Sequence, residues 1–278
     1  RVKLAARIVG TEVGPLAHTI DARWLMAYAA ALGETDARFF DTRGDLLAHP
    51  LFPVCYEWPV ALAEREQTIP PELRTRVVHA THDLRLDRPP RAGETLWTRA
   101  RVIGAVQRAP GAFAITRMET RDTAGERISV TDYGVLYRGV TLEGTDPRLA
   151  PEIDEAPATP QPLPAAGEVR VAANLAHVYT ECARIWNPIH TDLAVAQAAG
   201  LPGLILHGTA TLALSVSRAL TACDADVAVV RRVRCRFSGM VPMPAVLEVR
   251  AQRIGATLRF ETTCAGSTVL SRGAIDLV

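Results

Sequence analysis

The residues best suited to moving protons lie in one segment, YTECARIWNPIHTDLAVAQAAGLPGLILHGTATLAL, from Tyr179 to Leu214. His190 closes an Asn-Pro-Ile-His run that begins at Asn187, and His207 follows seventeen residues later. Imidazole titrates near neutrality, so His190 can act as general base or general acid. Asn187 can orient a water or the ring through its amide, and Pro188 stiffens the turn between them. Beyond His207, Gly208 leads into TATLALSVSRALTA, an apolar run from Thr209 to Ala222 with helical spacing. The start of such a helix offers unbonded N–H groups and partial positive charge, and glycine permits close approach. The backbone amides of Gly208 and Thr209 are therefore candidate donors to a developing oxyanion. Together these residues can transfer a proton beside an oxygen that gathers negative charge.

Two sets of elements must hold this segment. In the first part of the chain, Ile20 to Leu32 has helical spacing, with Asp21 as a cap and Gly33 as a stop. A second helix is predicted from about Cys55 to Glu66. Four runs rich in Val, Ile, Thr and alternating Arg read as strands, at 76–86, 95–106, 112–121 and 128–138. In the last part, Asp192 to Ala199 is predicted as a short helix and Thr209 to Ala222 as a longer one. Strands are predicted at 227–237, 245–254, 257–264 and 268–277. Between the parts lies TDPRLAPEIDEAPATPQPLPAAG, residues 145–167, with six prolines. Proline fixes φ and removes donors, so this stretch reads as an extended linker between residues 1–144 and 168–278. The parts also align at a constant offset: LRLDRPPRAGETLWTRARVI lies over CRFSGMVPMPAVLEVRAQRI, with Leu96 over Leu247 and Ile103 over Ile254. This reads as a duplicated α+β unit, a sheet wrapped around a central helix.

Composition excludes several classes. The chain has 278 residues, 48% hydrophobic and 22% charged, enough for a sizeable core. A net charge of +1 gives no case for a nucleic-acid partner. No apolar run is long enough to span a membrane. RVKLAARIVGTEVG at the start lacks the apolar core of a signal peptide. Cys55, Cys182, Cys223, Cys235 and Cys264 are odd in number and widely spaced. Neither a metal site nor a disulfide framework is expected from them, and a reducing, cytoplasmic setting is.

Asn187, Pro188, Ile189, His190, Ala194, Gly200, His207 and Gly208 stand where the MaoC-like dehydratases, or (R)-specific enoyl-CoA hydratases, carry their motif. The chain resembles that family over its second half. In the first half VHATHDLRLDRPPRAGETL resembles the family's first strand pair. The resemblance implies a double hotdog, an α+β fold of two antiparallel sheets, each wrapped around a central helix, side by side. It implies hydration or dehydration of an acyl thioester carried by coenzyme A or an acyl carrier protein, in fatty acid or polyketide metabolism. The family pairs its histidine with an aspartate two residues before the Asn. Here Ile185 stands at that place and Arg184 at the preceding glycine, so the chain reads as a divergent branch.

Within that resemblance, His190 is expected as general base/acid, Asn187 as its positioner, and the Gly208 and Thr209 amides as oxyanion hole. Arg184, Ile185, Asp192 and Arg234 are expected as possible substrate contacts. Each has a plainer alternative. His190 and His207 fit as core or helix-entry residues, Asn187 as a turn residue, and Asp192 as a first-turn acid favoured by the helix dipole. Arg184 fits as a solvated arginine. Arg232, Arg234 and Arg236 alternate against Val233, Cys235 and Phe237, which suits either a solvated sheet face or attraction of coenzyme A phosphates. His79 and His82, three apart, cannot share a face of a regular strand and read as structural. Glu57 is a remote candidate for the missing acid. The first half, without an Asn-Pro-x-His, is expected to line the acyl tunnel. No metal or redox cofactor is implied, and a homodimer is compatible with the fold. The alternatives to a hydratase are a water-free isomerase, cyclase or thioester rearrangement on the same fold, or a non-catalytic acyl-thioester binder.

Overall fold

The computed structural model describes residues 2–145, 148–149, 154–159 and 161–278. In chain order the first repeat comprises β1 (Lys3–Ala5), β2 (Glu12–Thr19), α1 (Ala22–Ala31), α2 (Pro53–Thr68), β3 (Val77–Leu86), β4 (Thr95–Arg108), β5 (Gly111–Asp122), β6 (Arg127–Arg138) and β7 (Thr141–Glu143). The second comprises β8 (Ala165–Val171), α3 (Leu175–Ala183), α4 (Leu193–Ala198), α5 (Gly208–Ala222), β9 (Val230–Phe237), β10 (Ala245–Ile254), β11 (Thr257–Cys264) and β12 (Ser267–Leu277). The strands and helices predicted from periodicity all form. Five elements were not predicted: the three-residue strands β1 and β7, and β2, β8 and α3. β2 lies at one end of its strand order and β8 at one end of its own, and both bury few side chains, so neither carries a strong apolar alternation. Residues 227–229 form a 3-10 turn capped by Asp226 rather than the start of β9. The proline-rich segment 145–167 falls partly outside the described residues, and its last three residues belong to β8.

The strand orders expose the duplication. The first repeat runs β2-β4-β5-β6-β3 and the second β8-β10-β11-β12-β9, the same order with each strand replaced by its counterpart. Leu96 near the start of β4 and Leu247 near the start of β10 are both fully buried, whereas the second aligned pair diverges: Ile103 is buried beside a register shift in β4 and Ile254 is exposed. Packing groups the chain into two compact units that are not contiguous in sequence. One holds the described residues of 1–18, 56–87 and 95–154. The other holds 19–55, 88–94 and the described residues of 155–278. The reason for the second grouping is local: α1 packs against α3.

In the first unit, Val60 and Ala61 of α2 pack on Ala100 and Met118 of the sheet. The Tyr56 hydroxyl bonds the Ser129 hydroxyl at 2.9 Å. Glu57 accepts from the Thr131 hydroxyl at 2.6 Å, and burial pushes its carboxyl up to about 8. Glu57 is thus engaged inside the first unit, and its bond partner is a threonine hydroxyl. The reading that His79 and His82 cannot share a face requires correction. A register shift lies between His79 and Thr81, and it brings the two ring centroids to 5.5 Å.

In the second unit, α5 packs on β8, β10 and β11. Its buried residues are mostly Ala, Thr, Ser, Leu and Val, small enough for a sheet to approach closely. Ser215 on α5 accepts from Thr262 on β11 at 2.8 Å, so the polar atoms inside this contact are satisfied. No helix among the described residues is long and apolar enough to cross a membrane.

Candidate active site

The site is built on the segment between α3 and α5. Helix α3 ends at Arg184, which adopts the left-handed conformation (φ 58°, ψ 37°). That backbone turns the chain, and Ile185 N–H then closes on Thr180 O at 3.1 Å. A glycine takes up this conformation without strain, which accounts physically for the glycine that the resemblance places here. Ile185 is buried beneath the turn. Pro188–His190 forms one 3-10 turn, closed by His190 N–H to Asn187 O at 3.1 Å. The Asn187 side chain makes no hydrogen bond among the described residues. Further along, Leu206 N–H donates to Val241 O at 2.8 Å and sets the entry to α5. His207 is the N-cap of α5. The first helical bond runs from Thr211 N–H to His207 O at 3.0 Å. The N–H groups of Gly208, Thr209 and Ala210 precede it without an acceptor among the described residues.

These turns bring His190 to the tip of α5. Its ring stacks on that of His207, with centroids 3.8 Å apart and planes inclined by 27°. His190 Nδ1 lies 2.9 Å from Ile205 O. A carbonyl can only accept, so Nδ1 carries the proton and Nε2 holds a lone pair. No carboxylate among the described residues hydrogen-bonds or pairs with the His190 ring. His207 Nε2 meets the Thr180 hydroxyl at 3.2 Å. Gly208 lies against Phe237, where an added Cβ would come 3.1 Å from the ring. A side chain at position 208 would press on that ring.

Burial keeps the histidines neutral. It lowers His190 to about 4, against a smaller raising effect of the Ile205 carbonyl. It lowers His207 to about 2, helped by the adjacent His190. His49, fully buried elsewhere in the same unit, is lowered to about 3. In an unfolded chain each titrates near 6.5. Below that pH the unfolded chain takes up protons that the folded chain refuses. The stability these groups give is present above pH 6.5 and is lost as pH falls toward 4. Thermal melts are expected to give a lower Tm at pH 5 than at pH 7.5, and equal values would contradict this.

The other candidate residues have partners within the unit. The Arg184 guanidinium bonds Asp21 at 3.1 Å and lies 4.1 Å over the Trp24 ring. Asp192 caps α4, accepting from the N–H groups of Ala194 and Val195 at 2.9 and 3.3 Å; the plainer reading is the one that fits. Arg234 pairs with Asp276 at 3.1 Å, and Arg236 with Glu155 at 2.7 Å. In each case a long-range partner takes the charge. Arg184→Gly is expected to change stability by no more than about 1 kcal/mol. Relief of left-handed strain, about 1–2 kcal/mol, opposes loss of an exposed ion pair and a cation–π contact, each about 0.5–1 kcal/mol. Turnover is expected to be unchanged. A melt and a kcat/KM measurement check both.

Two groupings were not expected from the sequence. Tyr179, fully buried on α3, donates to the Thr209 hydroxyl at 3.0 Å and approaches the Tyr28 hydroxyl at 3.4 Å. His49 Nδ1 accepts from Leu51 N–H at 3.1 Å, so its Nε2 donates to Ser217 Oγ at 3.0 Å, and Ser217 donates to Glu34 at 2.5 Å. That wiring holds His49 in the tautomer that cannot take a proton from Ser217. The available signal was Tyr179 within the motif; nothing local pointed to Tyr28 or His49.

The two repeats, each a sheet on a long helix, define a double hotdog protein with two stacked histidines at a helix tip. The same architecture occurs in a MaoC-like dehydratase from Phytophthora capsici (22% identity, TM-score 0.84, 97% of this chain and 95% of that one). It also occurs in a Mycobacterium tuberculosis protein described as having a double hotdog fold (17%, TM-score 0.64, 97% and 96%). Residues 150–273 match the MaoC like domain, and residues 7–131 match the FAS1-like dehydratase domain region. The chain carries a MaoC-like dehydratase domain and a FAS1-like dehydratase region. It is 28% identical over 209 residues to peroxisomal multifunctional enzyme type 2 of Drosophila melanogaster, covering 73% of this chain and 34% of that enzyme. It is 39% identical over 100 residues to fatty acid synthase subunit beta of Aspergillus oryzae, covering 35% of this chain and 4% of that subunit. The chain thus spans about a third or less of these relatives' length.

Proposed function

We propose that the chain is a hydratase or dehydratase of α,β-unsaturated or 3-hydroxyacyl thioesters, with its chemistry in the second unit. One observation carries the reading: the His190 ring, with Nδ1 fixed on the Ile205 carbonyl and a lone pair left on Nε2, stacks on His207, the N-cap of α5. In the hydration direction the thioester oxygen accepts from the Gly208 and Thr209 N–H groups. That contact draws electron density from the β-carbon. Nε2 takes a proton from water as the water oxygen bonds to the β-carbon, and the electron pair of the double bond moves to the thioester oxygen as an enolate. The imidazolium returns its proton to the α-carbon, and the carbonyl reforms. One histidine therefore serves as base and then acid, and the sum is addition of H and OH. Asn187, with a free side-chain amide, orients the water. Adding H and OH causes no net oxidation or reduction, so the step needs no redox group.

The acyl carrier is coenzyme A or an acyl carrier protein; the likeness to a fatty acid synthase subunit supports the second. A cysteine set without a pairing pattern supports a reducing, cytoplasmic compartment. Ile185 in place of an acid favours a second reading, a water-free proton shift on the same thioester. Incubation with crotonyl-CoA and longer enoyl-CoAs tests both. Loss of the conjugated absorbance with oxygen-18 incorporation from labelled water supports hydration. Loss without label supports the isomerase, and no loss with the fold intact removes the enzyme reading.

A further inference from the structure

Helix α5 carries five hydroxyl side chains, and four have their protons engaged. Thr211 donates to His207 O at 3.1 Å, Ser215 to Thr211 O at 2.8 Å, Thr221 to Ser217 O at 2.9 Å, and Ser217 to Glu34 at 2.5 Å. Thr209 differs. Its oxygen accepts from the Tyr179 hydroxyl at 3.0 Å, and its own proton has no acceptor among the described residues. The carbonyl four residues back, which Thr211, Ser215 and Thr221 each use, is Ile205 O in this case, and His190 Nδ1 already bonds it. In that bond the Tyr179 hydroxyl is the donor. Tyr28 donates to Leu51 O at 3.3 Å, and both phenols are completely buried, which pushes their titration far up and keeps them protonated. Tyr179 therefore presents a permanent donor to Thr209. A hydroxyl that accepts one hydrogen bond is polarised toward donating another.

We infer that the Thr209 hydroxyl is a third donor to the thioester oxygen, alongside the Gly208 and Thr209 amides, and that Tyr179 is the positioning residue that orients it. The inference rests on the hydratase/dehydratase reading and adds a side chain to its oxyanion hole. It explains why a buried tyrosine pair is built behind the first turn of α5 although neither phenol needs the other: Tyr28 already has Leu51 O.

Cinnamoyl-CoA tests it, because polarising its carbonyl red-shifts the bound chromophore and lowers the carbonyl stretching frequency. Wild type and His190→Ala are expected to bind the probe with the same red shift, since the histidine does not touch the oxygen. Thr209→Val is expected to lose most of the shift and to lower kcat about 10²-fold, the scale of one oxyanion donor, with KM within about twofold because uniform binding is kept. Thr209→Ser is expected to restore both. Thr209→Val leaves the buried Tyr179 hydroxyl without its acceptor, which can harm folding. The double variant Tyr179→Phe/Thr209→Val removes both partners and spares that loss; it is expected to match Thr209→Val in shift and kcat. Tyr179→Phe alone is expected to give an intermediate shift. A wild-type red shift and kcat in a folded Thr209→Val or double variant would overturn the inference while leaving the His190 reading standing. A wild-type protein that neither binds cinnamoyl-CoA nor turns over any enoyl-CoA would remove that reading, and the inference with it.

Discussion

Alanine at position 190 is expected to lower enoyl-thioester turnover by about 10²–10⁴-fold, the range for removing a positioned general base. The upper half of the range is the expectation here, because no carboxylate among the described residues bonds to the His190 ring and the same imidazole performs both proton transfers. The fold should survive. His190 sits on a single 3-10 turn at the edge of the core, and among the described residues its ring makes one hydrogen bond and one stack. Losing them leaves the Ile205 carbonyl without that donor, at about 1–3 kcal/mol. A melt and a far-UV spectrum separate this loss from the catalytic one. Turnover within a few-fold of wild type would move the chemistry away from this ring. Glutamine at 190 should be as inactive as alanine, because an amide cannot act as a base at neutral pH.

A large effect on stability is expected at Gly273. In the β11–β12 ladder Gly273 stands opposite Phe260. A Cβ at 273 would lie 2.4 Å from the Phe260 carbonyl oxygen and 2.6 Å from two atoms of its ring. Phe260 is fully buried, so the ring has nowhere to go, and the carbonyl belongs to the ladder. Relief requires prising β11 from β12 in the sheet that holds α5. Gly273→Ala is expected to destabilise by about 3 kcal/mol, the upper end for overpacking a closed site. Denaturant titration should show the midpoint falling sharply. Gly44→Ala is the control: nothing lies within 4 Å of the added carbon, and a change under about 0.5 kcal/mol is expected. If the two variants unfold together, the close approach at 273 is absent in solution.

Local sequence determined the elements and their repetition. Apolar alternation in β3 to β6 and β9 to β12, and helical spacing in α1, α2 and α5, are written residue by residue along the chain, because each pattern is a property of neighbours within one turn or one pleat. The Asn187–His190 run and the His207–Gly208 start of α5 were legible for the same reason. Tertiary structure alone decided the rest. Arg184 and Arg234 find partners far along the chain, Asp21 and Asp276. Tyr28 meets Tyr179 across 151 residues of chain. The segment 19–55 packs with the second repeat rather than the first. A side chain's partner is set by which surfaces meet after the sheets wrap their helices. No short-range pattern records that, so composition and spacing named the residues able to do chemistry, while only packing chose which of them face one another.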